Sequence, residues 1–477
     1  MSLIAVIDQY RTALSRFGQV VDFEISALDR LQIPVTSCSL AVDGRFAHHG
    51  NGYGVTEEAA QVSGLGELAE GVVSAVGLKR RQSESRSTSY ADLVAAEGKD
   101  RVADPRTLGL PAGSPYTESM PLVWLPVTRV RSGETVWLPE EFVASEPAEV
   151  TGPNSLVTPI TNGLGAGLDE DRALTHGLLE LLQRHTNGLR FRALDRRSPV
   201  IAAETLPDGV LGLLDRFAAV GIRPVLKHAA TTLGVTSTYA MGVDPDPAAG
   251  IRVTAGGEAA HPSAEVSLTK ALLEYANSRS RKAFCFGHRD GARRVAPAEY
   301  WDYLGEVGRG EPRAHDAMSA WRDLGTDRLR TLTAPDESAT IGYADVIRTS
   351  ALEGQDELRA QLLDALSAGA VGHDVLVART EVDGVVAAKV VVTGLEVETL
   401  SYGRIGELGV RDALAGDLDL VRVQPEPTGS HVHRVVLTPE AEERLGGPAW
   451  YSYDVAAELV GPLYPLYREP PRHSVAV

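Results

Sequence analysis

Two segments a little over a hundred residues apart carry one pattern. The first reads Gly50-Asn51-Gly52-Tyr53-Gly54, then twelve residues, then Glu67, with Glu70 three further on. The second reads Gly163-Leu164-Gly165-Ala166-Gly167, then twelve residues, then Glu180, with Gln183 three further on. In each, a glycine-rich turn is expected to lead into a helix that starts near Thr56 or Asp169, whose side chains can cap it. Residues three and four apart share a helix face. Ser63, Glu67 and Glu70 therefore line up on one helix, and His176, Glu180, Gln183 and Arg184 on the other. The opposite faces are apolar: Val62, Leu65, Ala69 and Val72, then Ala173, Leu174, Gly177, Leu178 and Leu181. Two such helices can hold a hard cation such as Mg2+ between them, since that ion takes carboxylate and water oxygens and bridges to phosphate. An acidic helix face is also what a solvated surface carries; the matched spacing is what argues for the metal.

A third segment, Gly256-Gly257-Glu258-Ala259-Ala260-His261-Pro262, leads into a helix with Lys270, Glu274, Asn277 and Arg281 on one face and Arg279 two residues beyond Asn277. Such a stripe suits phosphate oxygens and metal, or an exposed face laced with ion pairs.

Composition narrows the partners. The 477 residues carry 46 Lys and Arg against 64 Asp and Glu, a net charge of −18, which repels polyphosphate and anionic lipid unless cations intervene. Nucleic-acid binding and membrane docking are not expected. Cys38 and Cys285 are too few for a disulfide framework or a thiolate zinc site, and Cys285 reads as a buried strand thiol. With neither a basic-then-apolar leader nor a bilayer-length apolar run, the chain reads as soluble and cytoplasmic. The HExxH, GxSxG and Walker patterns do not occur, and His48-His49 and His431-Val432-His433 read as surface pairs.

Irregularly mixed strand and helix patterns predict an α/β or layered α+β architecture in one large domain. Helices are expected at Leu3–Arg16, Asp169–Leu189, Gly209–Ala219, Ser263–Lys282, Pro297–Leu304 and Glu357–Leu366. Strands are expected at Val35–Val42, Arg223–His228, Ser237–Val243, Val375–Arg379 and Ala387–Val392. Leu122–Val130 and Thr135–Phe142 read as a hairpin. A long, partly mobile polar loop is expected at about 79–116, and a proline-punctuated tail at about 461–477.

At the three helices the sequence resembles the YcaO family. Ser63-Gly64-Leu65-Gly66-Glu67-Leu68-Ala69-Glu70 is similar to its SAxxExxER helix. Thr161 to Gly167, continuing to Leu178-Leu179-Glu180-Leu181-Leu182-Gln183-Arg184, is similar to its NGxAAG…LLExIERD segment. Gly257–Pro262 with Lys270–Arg279 is similar to GxHP…RALxEAxQSR. Trp124-Leu125-Pro126, Trp137-Leu138-Pro139-Glu140-Glu141 and Val392-Thr393-Gly394-Leu395-Glu396 resemble further stretches in the same order.

The resemblance implies an ATP- and Mg2+-dependent enzyme that activates a backbone amide while a ribosomally made peptide matures. The product is an azoline, thioamide or amidine according to the nucleophile. It implies Glu67, Glu70 and Glu180 as magnesium ligands, and Arg172, Arg184, Lys270, Glu274, Asn277 and Arg279 as nucleotide contacts. Arg172 and Gln183 stand where the family has glutamates, Asn277 where it has glutamine, Gly71 where it has arginine, and Tyr53 where it has lysine. Two outcomes are consistent with this: a site with fewer Mg2+ ions in which Arg172 faces phosphate directly, or a catalytically silent scaffold with a decayed nucleotide site. The ending Glu469 to Val477 lacks the PxPxP run of many azoline-forming relatives. The expected partners are a precursor peptide, a peptide-recognition or sulfur-delivery protein, and a second copy in a homodimer.

Overall fold

The computed structural model describes residues 1–191, 198–304, 312–346, 354–369, 372–397, 403–416, 419–429 and 431–460; the expected tail at 461–477 lies outside them. The fold is mixed α/β, as the sequence predicts. Val35–Val42 is the central strand of a three-stranded antiparallel sheet, between Gln19–Glu24 and Arg45–Tyr53. It is buried along nearly its whole length, so small and apolar side chains occupy both of its faces. A second sheet runs Gly256–His261, Val235–Val243, Arg223–Thr232, Val200–Ile201, Thr340–Ile341. A third runs Arg86–Ser89, Pro121–Arg129, Val375–Val382, Val385–Val392, Leu164–Gly167, with Thr135–Pro139 paired to Pro121–Arg129 as the expected hairpin. A small sheet of Val421–Val423, Ala449–Ser452 and Val432–Arg434 lies toward the C-terminal end of the described chain.

Three long helices each follow a strand of a different sheet. Glu57–Gln82 follows Arg45–Tyr53, Glu170–Phe191 follows Leu164–Gly167, and Ala264–Phe286 follows Gly256–His261. Side chains start all three: Thr56 accepts from Ala59 N, Asp169 from Arg172 N, and Ser263 from Val266 N. Such a cap stabilises a helix by about 1 kcal/mol. Most of the glycines expected in turns lie in the strands instead, Gly50 and Gly52 in the first and Gly165 and Gly167 in the second, while Gly163 does stand in a turn, at φ 84°. A Cβ on Gly52 would sit 1.9 Å from Gly64 N, and one on Gly165 would sit 2.1 Å from the Ala173 carbonyl oxygen. Strand backbone rests on helix backbone there, which only glycine permits.

The apolar helix faces fill the core. Leu65, Leu68, Ala69 and Val72 pack with Cys38, Leu40 and Ala387; Ala173, Leu174, Leu178 and Leu181 with Ala388 and Val390; Leu268, Ala271 and Leu272 with Leu226 and Ala259.

The stretch at 79–116 is not one long loop. The first long helix runs on to Gln82, Arg86–Ser89 is a strand, Tyr90–Glu97 is a helix capped by Ser89, and Tyr90, Leu93, Leu108 and Leu110 are buried with Trp124. Each apolar patch is too short to show a period, and each is ordered by the Trp124 sheet it covers. Cys285 also differs from expectation: it lies near the end of the Ala264–Phe286 helix and is exposed. Among the described residues no helix is long and apolar enough to cross a membrane.

Candidate functional site

The faces of the three long helices that do not enter the core converge on one cavity of about 1180 Å3. Each helix presents a carboxylate oriented in the same way. Glu67 Oε2 accepts from Asn51 N at 2.9 Å, Glu180 Oε2 from Gly163 N at 2.9 Å, and Glu274 Oε2 from Glu258 N at 2.8 Å. The donors lie 16, 17 and 16 residues upstream, in or beside the preceding strand. Glu70 Oε1 accepts from Ala166 N at 3.2 Å and ties the first helix to the strand of the second unit. A hydrogen bond to a charged group contributes about 1.5–3 kcal/mol and fixes the carboxylate's direction.

These acids line the cavity together and repel one another. Loss of bulk water, then Glu180 and Glu67, drive Glu70 well above the usual carboxylate range. Desolvation raises Glu67, opposed by the Arg281 cation. Glu274 is pushed up to about 7 by burial and by Glu258 beside it. Desolvation, with Lys270 and Arg172 adding to it, holds His176 down at about 3, so the imidazole that stands 3.5 Å from Glu70 Oε1 is neutral. Arg184 is committed: it pairs with Glu258 at 2.5 Å and lies 3.6 Å from Glu180.

Carboxylates held together against their own repulsion fit a divalent cation. Among the described residues no three His, Cys, Asp or Glu side chains are placed to enclose one. That fits Mg2+, which usually takes only one or two carboxylates and completes its octahedron with water and substrate phosphates. Glu67, Glu70 and Glu180 line the cavity as the candidate ligands, one or two of which would bind any one ion. The Asn277 Oδ1 atom, buried at the cavity wall with no hydrogen-bond partner among the described residues, fits a ligand donor.

Of the residues singled out from sequence, Glu67, Glu70, Arg172, His176, Glu180, Gln183, Arg184, Lys270, Glu274 and Asn277 all line this cavity, as do Tyr53 and Arg281. Arg279 does not. Its side chain is fully buried, with Nη2 2.9 Å from Asp29 and 2.8 Å from Asp244. Two residues beyond Asn277 is more than half a helical turn, which points Arg279 toward the core, where the two aspartates claim it. His48 and His49 line the cavity wall, His49 bonded to Ser39 at 2.9 Å, while His431 pairs with Asp454 outside it.

Sequence reasoning missed Glu258, the partner of Arg184, and the rim formed by Leu3, Val6 and Tyr10 of the N-terminal helix. Glu258 sits within the quoted Gly257–Pro262 motif, and its own backbone N–H is the donor to Glu274. The rim depends on where a separate helix docks, which no local pattern carries.

The sequence profile of the family described as YcaO cyclodehydratase, ATP- and Mg2+-binding, matches residues 51–396. An uncharacterized protein of Methanothermobacter thermautotrophicus is 27% identical over 406 residues, covering 82% of this chain and 94% of the relative. The structure of a YcaO protein from Methanopyrus kandleri, bound with AMPPCP and Mg2+, superposes with a TM-score of 0.60 at 19% identity, over 90% of this chain and 96% of that one. A heterocyclase in complex with substrate and cofactor superposes with a TM-score of 0.61 at 14% identity, over 91% of this chain and 56% of that one. At these identities the superpositions bear on the fold.

Proposed function

Because the chain belongs to the YcaO family, we propose that, with ATP and Mg2+ as its cofactors, it activates a backbone amide of a ribosomally made peptide. The observation that carries this reading is the convergence of Glu67, Glu180 and Glu274, each aimed by a backbone N–H, on one cavity that also holds Arg172, Arg184 and Lys270. When bound, ATP would supply the phosphoryl group that lets the amide oxygen depart as phosphate once a nucleophile has added to the carbonyl, and Mg2+ would neutralise the phosphates.

The chain's residues prepare that event. Glu67, Glu70 and Glu180 would supply the carboxylates for the metal, and the backbone donors keep their oxygens aimed before any ligand arrives, so little reorganisation is needed. Glu258 fixes the Arg184 guanidinium against Glu180. The Leu3, Val6 and Tyr10 rim keeps bulk water from one side of the cavity and offers a peptide an apolar edge. The substrate is a precursor peptide, delivered with or without a recognition or sulfur-delivery protein, and the nucleophile decides between azoline, thioamide and amidine.

Calorimetric titration of ATP with and without Mg2+ tests the reading. Wild type is expected to bind in Mg2+, and Glu67→Gln and Glu180→Gln are each expected to bind at least about tenfold more weakly, the loss of one charge-assisted ligand. Wild-type protein with no Mg2+-dependent ATP binding would sink the proposal and favour a catalytically silent scaffold. Candidate peptides are then ranked by the ATP consumption they stimulate.

A further inference from the structure

The cavity lies where three sheets end. Arg45–Tyr53, Leu164–Gly167 and Gly256–His261 are each the last strand of their sheet, and each contributes residues to the cavity wall. A terminal strand keeps one row of N–H and C=O groups that no neighbouring strand takes. Part of that row is already used: Asn51 N, Ala166 N and Glu258 N bond to Glu67, Glu70 and Glu274. Leu164–Gly167 and Gly256–His261 are buried along most of their length. Arg45–Tyr53 differs. Its Ala47 and His49 are exposed, and both line the cavity together with Asn51 and Tyr53, so this edge runs from solvent inward.

Pairing with the central strand decides which of its groups are open. Ile25 N bonds to Val35 O, so Val35, Ser37 and Ser39 turn their main-chain groups toward Gln19–Glu24, while Thr36 and Cys38 turn theirs toward Gly52 and Gly50. His49 and Asn51 therefore face away from the sheet. Glu67 Oε2, 2.9 Å from Asn51 N, takes the place that a partner strand's carbonyl would fill there. The main-chain N–H and C=O of His49 have no hydrogen-bond partner among the described residues. On the outer side the register shifts between Leu40 and Ala41, opposite His48 and Phe46, and the bend bounds the open edge. Free edges are commonly kept from pairing by charged side chains or proline. From Phe46 to Tyr53 this strand has neither Lys, Arg, Asp, Glu nor Pro.

We propose that the substrate peptide adds to this edge as a short antiparallel strand, pairing one residue with both main-chain groups of His49 and leaving the edge at Glu67. This rests on the amide-activating reading above and names how the peptide is held. The paired residue donates its N–H to the His49 carbonyl and accepts from the His49 N–H. At Asn51 the ladder stops, because Glu67 fills the acceptor position, so the next amide of the peptide stands beside a candidate metal ligand. Main-chain recognition is indifferent to the side chain of the paired residue, so the edge accepts varied sequences.

The test is binding of a fluorescein-labelled pool of short, capped peptides of random sequence to wild type, His49→Ala and His49→Pro, read by fluorescence polarisation in Mg2+ without nucleotide. Proline removes the N–H that faces away from the sheet and leaves the pairing with the central strand, a position in which edge strands tolerate it. Alanine keeps the N–H and removes the imidazole. His49→Pro is expected to bind the pool about tenfold more weakly, the worth of the lost main-chain bonding, and His49→Ala within about twofold of wild type. On wild type, a pool N-methylated at every amide is expected to show the same loss, whether or not the proline variant folds. Equal loss in both variants, loss in neither, no effect of N-methylation, or a wild type that retains none of the pool would overturn the edge. Sedimentation that finds wild type dimeric and His49→Pro monomeric would give the edge to a second copy instead. Calorimetry with ATP and Mg2+ separates the two readings: a wild type that binds the pool in the expected pattern but no ATP keeps the peptide edge and overturns the proposed reaction.

Discussion

At the scale of single residues, neighbours on one helix have opposite fates. Asn277 faces the cavity, whereas Arg279, two positions on, is swallowed by Asp29 and Asp244. Removing one partner from a buried charge cluster strands the others and costs about 3–5 kcal/mol. Arg279→Met is therefore expected to lower the unfolding free energy measured by urea titration by an amount of that order and to leave the ATP affinity of the folded protein unchanged. Normal stability with lost ATP binding would return Arg279 to the nucleotide. Glu141 shows burial acting on an acid away from the cavity helices. It is 2% exposed, accepts from Leu156 N at 2.9 Å, and is pushed up to about 7, chiefly by desolvation. Its folded pKa exceeds its unfolded value, so the folded state holds a proton that the unfolded chain releases between about 4.5 and 7. Stability from this group is full below that window and is lost as pH rises through it. Glu141→Gln keeps the acceptor and removes the titration. Its stability relative to wild type is expected to rise between pH 5 and pH 8 by up to about 3 kcal/mol. A difference independent of pH would show that Glu141 titrates normally.

At the scale of elements, the cavity-lining helices were legible because their carboxylates follow glycines at a fixed distance and their apolar faces keep the helical period. Val35–Val42 and the start of the helix at Glu57 follow from apolar patterning and from Thr56 as a cap. The glycines themselves were read as turns, since a sequence shows that glycine is needed but not whether the need is a positive φ or a close approach. Gly52 and Gly165 are the second kind. The 79–116 stretch was opaque for a different reason. Tyr90, Leu93, Leu108 and Leu110 become core only because the Trp124 strand lies beneath them, and no window of local sequence contains that strand. The same holds for the rim: Leu3 and Val6 resemble any apolar helix residues until the helix is placed against Gly66 through Tyr10.

Across the whole molecule, the excess of acid has a local counterpart. Glu67, Glu180 and Glu274 come from stretches of chain far apart in sequence, and they meet only in the folded state. A ligand that bridges them binds the native protein and not the unfolded chain, so it must raise stability by mass action, about 2.7 kcal/mol at a hundred times its dissociation constant. At an unfolding entropy of about 2 cal/mol/K per residue, a chain of 477 residues gains about 3 °C in melting temperature from that energy. The charge of −18 sets the condition. ATP with a chelator brings four further negative charges to a cavity already crowded with carboxylates. ATP with Mg2+ is therefore expected to give the full shift, Mg2+ alone a smaller one, and ATP with chelator the smallest. Scanning calorimetry at low ionic strength separates the three. An equal shift from ATP with and without Mg2+ would mean that the carboxylates take no metal and that their mutual repulsion is relieved by protonation instead.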